Sequence, residues 1–145
     1  TADELLSPAP DHVVDAIDSL NPKIALLEEC LGRGIAVTSS MGAAARTDVS
    51  FVRTGDISET TLCPLAARVR KFLRRKGYES GVPCVWSTEP PVVRPMPANE
   101  PRLIDRGRER NRLASGMCIP AVFGFAAASL VLGRLARETM NGSDS

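Results

Sequence analysis

Three groups of residues in this sequence have types and spacings that could do chemistry. The first is Asp18, which follows His12-Val13-Val14-Asp15-Ala16-Ile17 and precedes Ser19-Leu20-Asn21-Pro22. The earlier run is nearly all apolar and reads as a strand; the later one reads as a helix start. Ligands of open α/β sheets gather outside the carboxyl ends of the strands. A carboxylate there suits Mg²⁺, a hard cation that prefers oxygen and often bridges to phosphates. The same spacing would also let Asp18 act only as a cap of the helix, and the residues alone leave both roles open. Asp15, inside the strand, reads as structural.

The second group is Arg68, Arg70, Lys71, Arg74, Arg75 and Lys76, in a stretch with no acid. On a helix, position 68 shares a side with 71 and 75, and 70 sits near 74, so the charges form a broad positive band. Like charges four residues apart cost roughly a few tenths of a kcal/mol each. Such crowding suits a polyanion, because each phosphate contact releases counterions. A solvated face, or contact with the acidic N-terminal segment, is the alternative. The third group is Cys84, beside Trp86, Ser87 and Glu89. A nucleophilic thiol needs a nearby cation or helix end to lower its pKa, and the sequence shows neither. Arg102, Arg106, Arg108, Arg110 and Arg112 form a second basic cluster, diluted by Asp105 and Glu109.

These residues must be positioned by an α/β framework. A strand at 12–17, a helix from Asn21-Pro22 and a second strand, Ile35-Ala36-Val37-Thr38-Ser39, make a parallel crossover unit. Asn21 is expected to cap that helix with Pro22 in its first turn. Leu20, Ile24, Leu27 and Leu31 form its apolar stripe, and Gly32 and Gly34 stop it. Residues 1–11 read as a loop and Val49–Arg53 as a third strand. A second helix runs from Pro64 to about Lys76 with Leu65, Val69, Phe72 and Leu73 inward, and Pro83–Ser87 is a fourth strand. The expected organisation is one α/β unit over 1–91, a Pro/Arg-rich mobile linker over 92–118 and an apolar helix over 119–140. The apolar stretch of that helix, Ile119 to Leu132, is 14 residues, short of the ~20 a bilayer span needs. A buried helix or subunit interface is therefore expected.

Composition narrows the choice. The chain has 145 residues, 43% hydrophobic and 24% charged, which excludes a wholly disordered or fibrous protein. Aromatics are only 4%, so aliphatic side chains must build the core. The net charge of +1 names no partner, but residues 1–30 carry seven acids against Lys23 alone. Cys30, Cys63, Cys84 and Cys118 include no CxxC pair and His12 is the single histidine, so no structural zinc site is expected. The scattered thiols read as buried small hydrophobes in a reducing compartment. No GxGxxG or GxxxxGK[ST] phosphate loop occurs, so the chain alone is not expected to hold a nucleotide well.

Several segments taken together resemble a known family. They are Val14-Asp15-Ala16-Ile17-Asp18-Ser19, Ser39-Ser40-Met41-Gly42-Ala43, Asp56-Ile57-Ser58-Glu59-Thr60, Pro64-Leu65-Ala66 and Ser80-Gly81-Val82-Pro83-Cys84-Val85-Trp86-Ser87-Thr88-Glu89. In this order they resemble the tRNA threonylcarbamoyladenosine dehydratases, of the superfamily of ThiF, MoeB and the ubiquitin-activating enzymes. The likeness runs over about 1–91 and resumes at Ile119-Pro120-Ala121-Val122-Phe123-Gly124. It implies an incomplete Rossmann-like three-layer fold with a mixed sheet. It also implies an ATP-dependent reaction that adenylates a threonylcarbamoyl carboxylate on tRNA adenosine and closes it into a ring. By motif position Asp18 would contact Mg²⁺–ATP, and the basic helix after Pro64 would contact tRNA. The family's N-terminal half, with its glycine-rich nucleotide loop, has no counterpart here, so the chain is expected to be a C-terminal half, inactive alone and needing that half as a partner. Cys63 stands where many members have Asp, and Gly42-Ala43-Ala44 replaces Gly-Ala-Gly. The resemblance further implies a homodimer, possible peripheral membrane association, and a cytoplasmic or, alternatively, mitochondrial location. Two other readings remain: an activating enzyme for a ubiquitin-like or sulfur-carrier protein, with Cys84 as acceptor, and a non-catalytic RNA-binding or dimerisation module.

Overall fold

The computed structural model describes residues 1–90 and 118–142, and the backbone of 104–105 and 108–109. The crossover expected from the sequence is present. Strand β1 (His12–Asp15) leads through helix α2 (Leu20–Gly32) to β2 (Ala36–Ser40), and the strands pair in parallel from His12 opposite Ala36 to Asp15 opposite Ser39. A single-turn helix, α1 (Ala2–Leu5), precedes them where a loop was expected, because Thr1 and Glu4 form a reciprocal capping box. Strand β4 (Pro83–Ser87) joins β2 in parallel, and β3 (Val52–Asp56) adds antiparallel to β4, giving the order β1-β2-β4-β3. Among the described residues, β1 pairs with β2 alone, so its outer edge is bare.

Side chains alternate across the strands, and each face of the sheet has its own core. Val37, Cys84 and Trp86 face α2 and α3 (Pro64–Arg75), where Leu26, Leu27, Cys30, Ala66, Val69 and Leu73 close over them. Val85 faces the other way, to Ile119, Phe123 and Ala127 of α4 (Cys118–Gly142). The result is a three-layer α/β arrangement with a mixed sheet. Val14 escapes both layers and is 54% exposed, so the first strand is not covered on both faces as its apolar run suggested.

Several boundaries differ from the sequence reading for local reasons. Helix α2 begins at Leu20 with Ser19 at its N-cap, which places Asn21 and Pro22 inside the first turn, and no side chain caps it. Its buried residues are Lys23, Leu26, Leu27 and Cys30, with Leu20 and Leu31 only flanking the core and Ile24 half-buried. Gly34 follows with φ +67°, the left-handed conformation that ends the helix. The third strand starts later than expected because the Asp48 carboxylate accepts the Ser50 N–H and winds Val49–Phe51 into a 3-10 turn. On α3 the buried residues are Ala66, Val69 and Leu73; Phe72 is partly exposed, with the Arg75 guanidinium 5.5 Å from its ring centroid. Helix α4 is longer than expected. By length and composition it could cross a membrane, since the helix continues well past Leu132. Only Ile119, Phe123 and Ala127 are buried on it, while Phe125, Leu132 and Met140 are strongly exposed. Within the expected linker, β5 (Ile104–Asp105) and β6 (Arg108–Glu109) pair antiparallel. Arg102, Arg106, Arg110 and Arg112 lie outside the described residues, and Arg108 is described only as backbone.

Candidate functional site

A crevice of about 850 Å³ opens where β1 and β2 end. Its walls are Val14 of β1 with Ile17 and Asp18 beyond it, Ser40 at the end of β2 with residues 41–46 after it, Cys63-Pro64-Leu65 at the start of α3, and Phe123 and Ala127 of α4. The lining is mostly apolar, with two charged side chains in it: Asp18 and Arg46. This is the position at which open α/β sheets collect ligands.

Asp18 is exposed, and its Oδ1 accepts from the Ser19 hydroxyl at 3.3 Å. It caps nothing: the structure shows no side-chain cap bond on α2. The turn carrying it is fixed from below. Asp15 is buried; its Oδ1 accepts the Ile17 N–H at 2.9 Å, and its Oδ2 accepts from Lys23 Nζ at 2.5 Å and the Ser39 hydroxyl at 2.6 Å. Lys23, also fully buried, reaches Ser39 Oγ at 3.1 Å and the Ser40 carbonyl at 2.9 Å. One ion pair thereby ties the end of β1, the first turn of α2 and the end of β2 together. The desolvation cost of burying two charges makes such a pair a weak source of net stability; here it fixes the direction of the chain that presents Asp18. Sequence reasoning read Asp15 as structural but missed Lys23. The signal was its place on the buried stripe with Leu27 and Cys30.

The opposite wall is the loop after β2. Glu89, buried just beyond β4, accepts the Thr47 N–H at 2.8 Å, the Asp48 N–H at 3.0 Å and the Thr47 hydroxyl at 2.9 Å. The amides of Asp48 and Thr47 hold its carboxyl below the usual glutamate range. This clasp fixes Arg46, whose Nη2 donates to the Leu62 carbonyl at 2.8 Å. Neither Arg46 nor the clasp was foreseen, because one arginine at the end of a small-residue loop has no periodic signature.

The Asp56–Glu59 segment lies outside the crevice lining. Asp56 accepts from the Ser58 N–H at 2.9 Å, the Ser58 hydroxyl at 2.7 Å and the Gly81 N–H at 2.7 Å, joining the end of β3 to the approach to β4. Burial opposes the ionised form of Asp56, but the bonds from Ser58, Gly81 and Val82 prevail and its pKa is lowered. On the crevice wall, Cys63 takes the N-cap of α3, its Sγ accepting the Ala66 N–H at 3.5 Å.

The basic helix is divided in use. Arg70 turns inward and donates to the Thr60 carbonyl at 2.6 Å and to the Thr60 hydroxyl, and Lys76 pairs with Glu28 at 2.9 Å. Arg68, Lys71, Arg74 and Arg75 stay exposed. None of the six lines the crevice. Cys84 does not suit a nucleophile. It is buried, its Sγ donates to the Val82 carbonyl at 3.0 Å, and burial pushes its thiol well above the ordinary range. Cys30 and Cys63 are buried too, as expected of small hydrophobes, whereas Cys118 is exposed. No group of three or more metal-ligating side chains occurs among the described residues.

Comparison with known proteins bears directly on this geometry. No protein-family model matches the chain. The tRNA threonylcarbamoyladenosine dehydratase 2 of Saccharomyces cerevisiae is 41% identical to it over 146 residues, covering 90% of this chain and 32% of that protein. The Bacillus subtilis tRNA threonylcarbamoyladenosine dehydratase is 46% identical over 83 residues, 57% of this chain and 33% of that protein. A crystal structure of the Escherichia coli enzyme TcdA in complex with AMP superposes with TM-score 0.77 at 28% identity, covering 97% of this chain and 54% of that one. The same enzyme in complex with ATP gives TM-score 0.75. The chain is homologous to part of the tRNA threonylcarbamoyladenosine dehydratases. It spans from a third to about half the length of these relatives. The resemblance and the α/β fold expected from the sequence are thus both borne out.

Proposed function

We propose that this chain is the part of an ATP-dependent tRNA threonylcarbamoyladenosine dehydratase that supplies the magnesium-facing wall of the active site. The observation that carries the reading is Asp18, exposed beside the crevice at the end of β1 and held there by the Asp15–Lys23 pair. Homologues bearing the dehydratase name, and neighbours crystallised with AMP and ATP, support the reaction class.

The donor set fits a nucleotide-borne Mg²⁺ better than a resident metal. One carboxylate offers at most two oxygens, and it belongs to no group of three or more metal-ligating side chains among the described residues; phosphates and waters would supply the remaining oxygen ligands. ATP supplies what the substrate lacks, converting an oxygen of the threonylcarbamoyl carboxylate into a good leaving group so that the same substrate can close a ring by internal attack. The chain's own residues then do three things. Asp18 would hold the cation that accompanies the phosphates, the apolar walls around Ile17, Met41, Leu65 and Phe123 would exclude water from the activated carboxyl, and the exposed bases of α3 would hold RNA phosphates. The glycine-rich loop that must grip the nucleotide is not in this sequence, so the chain needs the preceding half to turn over.

The test is nucleoside mass analysis of threonylcarbamoyl-tRNA incubated with ATP. This chain alone should leave the nucleoside unchanged, while the chain extended by a nucleotide-loop half should remove one water. Asp18→Asn in the extended protein should lower that rate at least ~100-fold, equivalent to about 2.7 kcal/mol in the barrier, without altering thermal stability. Turnover by the chain alone, or an Asp18→Asn enzyme of normal rate, overturns the reading.

A further inference from the structure

Arg46 has no role in that mechanism, yet its placement calls for one. It is only 2% exposed and forms part of the crevice wall. A guanidinium brings five N–H donors and cannot escape burial by losing a proton. Here Nη2 is bonded to the Leu62 carbonyl, while Nε and Nη1 have no acceptor among the described residues. No carboxylate forms an ion pair with it among the described residues. A charge buried in this way is costly unless something anionic meets it.

The backbone around it is built to keep it there. Ala45, immediately before it, and Leu62, which accepts its single bond, both have positive φ, at 60° and 55°. Such conformations persist when their surroundings over-determine them, and they cluster at ligand clamps. On the other side, the Glu89 carboxylate takes both the Thr47 and Asp48 amides. That carboxylate is therefore satisfied by the loop itself and leaves the guanidinium unanswered.

We propose that Arg46 is an oxyanion receptor in the crevice, taking a carboxylate or a phosphate through the donors that the protein leaves unmet. Guanidinium groups match both anions in geometry and hold them by charge-assisted hydrogen bonds. Asp18, exposed elsewhere on the lining, would bar the anion from its own side unless a cation intervened. The crevice would thus receive its ligand with the anionic end at Arg46. This assignment does not depend on the proposed dehydration: Asp18 could bind a nucleotide in the larger protein whether or not Arg46 binds an anion.

Thermal unfolding of this chain in sodium acetate, in sodium phosphate and in sodium chloride at matched ionic strength and pH tests it. A ligand that binds only the folded chain raises its midpoint. The midpoint should rise with acetate, phosphate or both relative to chloride, and the rise should vanish in Arg46→Met. A response to acetate alone assigns the site to a carboxylate, and one to phosphate alone assigns it to the nucleotide or an RNA phosphate. In chloride Arg46→Met should be at least as stable as the parent, because an unanswered charge has been removed. No anion response in the parent, or an equal response in the variant, overturns the proposal. Should the variant fail to fold, the Arg46 Nε–H signal in the ¹⁵N-labelled parent decides: it should move on titration with the responding anion, and a stationary signal overturns the proposal equally.

Discussion

Replacing Lys23 with methionine would leave the buried Asp15 carboxylate with only the Ile17 amide and the Ser39 hydroxyl. Removing one partner of a buried pair costs roughly 3–5 kcal/mol, because the remaining charge is uncompensated. The urea midpoint of Lys23→Met should fall accordingly, and adding Asp15→Asn should recover part of the loss, since the residual penalty is that of a charge. Glu89 gives a different signature. Its folded pKa lies below the ordinary value of 4.5, so its contribution is complete above that pH and is lost as the pH falls through the folded value. The gap in melting temperature between the parent and Glu89→Gln should therefore be widest near neutrality and narrow on acidification, as Asp56, shifted in the same direction, adds to the acid loss of both proteins. At this scale the sequence revealed the residue at a strand end, because Asp18 is placed by topology. It concealed Lys23, Glu89 and Arg46, because each acts through neighbours 8 to 42 positions away or, for Arg46, through an absent contact.

Helix α3 shows how one run of like charge is put to different uses. Its buried side is Ala66, Val69 and Leu73, so five bases share the remaining circumference, with Lys76 just past its end, and four of them, Arg68, Lys71, Arg74 and Arg75, are exposed and unclaimed by the bonds described above. Substituting Arg74 and Arg75 with glutamine should weaken tRNA binding across sequences. It should also reduce the slope of log affinity against log salt by about 1 for each RNA phosphate that is no longer neutralised, with little change in stability. Arg70→Gln should do the reverse, destabilising the chain through the two bonds to Thr60 while barely changing the salt slope. Filter binding at several salt concentrations separates the two. Periodicity located this helix and its charge but turned the inward stripe toward Phe72. The sequence does not show that Arg75 can shield an aromatic ring at the surface, or that an alanine faces the core. The crossover β1–α2–β2 was more legible because its strands, stop glycine and pairing are local in the chain. Strand β3 was displaced because a single Asp48 carboxylate redirected its start.

At the scale of the molecule, this chain matches from a third to about half of its homologues, yet each face of its sheet carries a packed core, with Val14 of β1 left uncovered. The part the sequence made plain is the framework, whose apolar periods require α2, α3 and α4 to cover the strands. The crevice was less plain, since it is formed by loops that share no pattern and meet only in three dimensions. The bare outer side of β1 has a further implication. A strand edge exposes rungs of amide and carbonyl groups, and the adjoining Val14 is uncovered. Such a border is a template for any extended polypeptide that reaches it. Where no other strand covers it, identical molecules can add to one another there, so crowding favours mispairing along that edge.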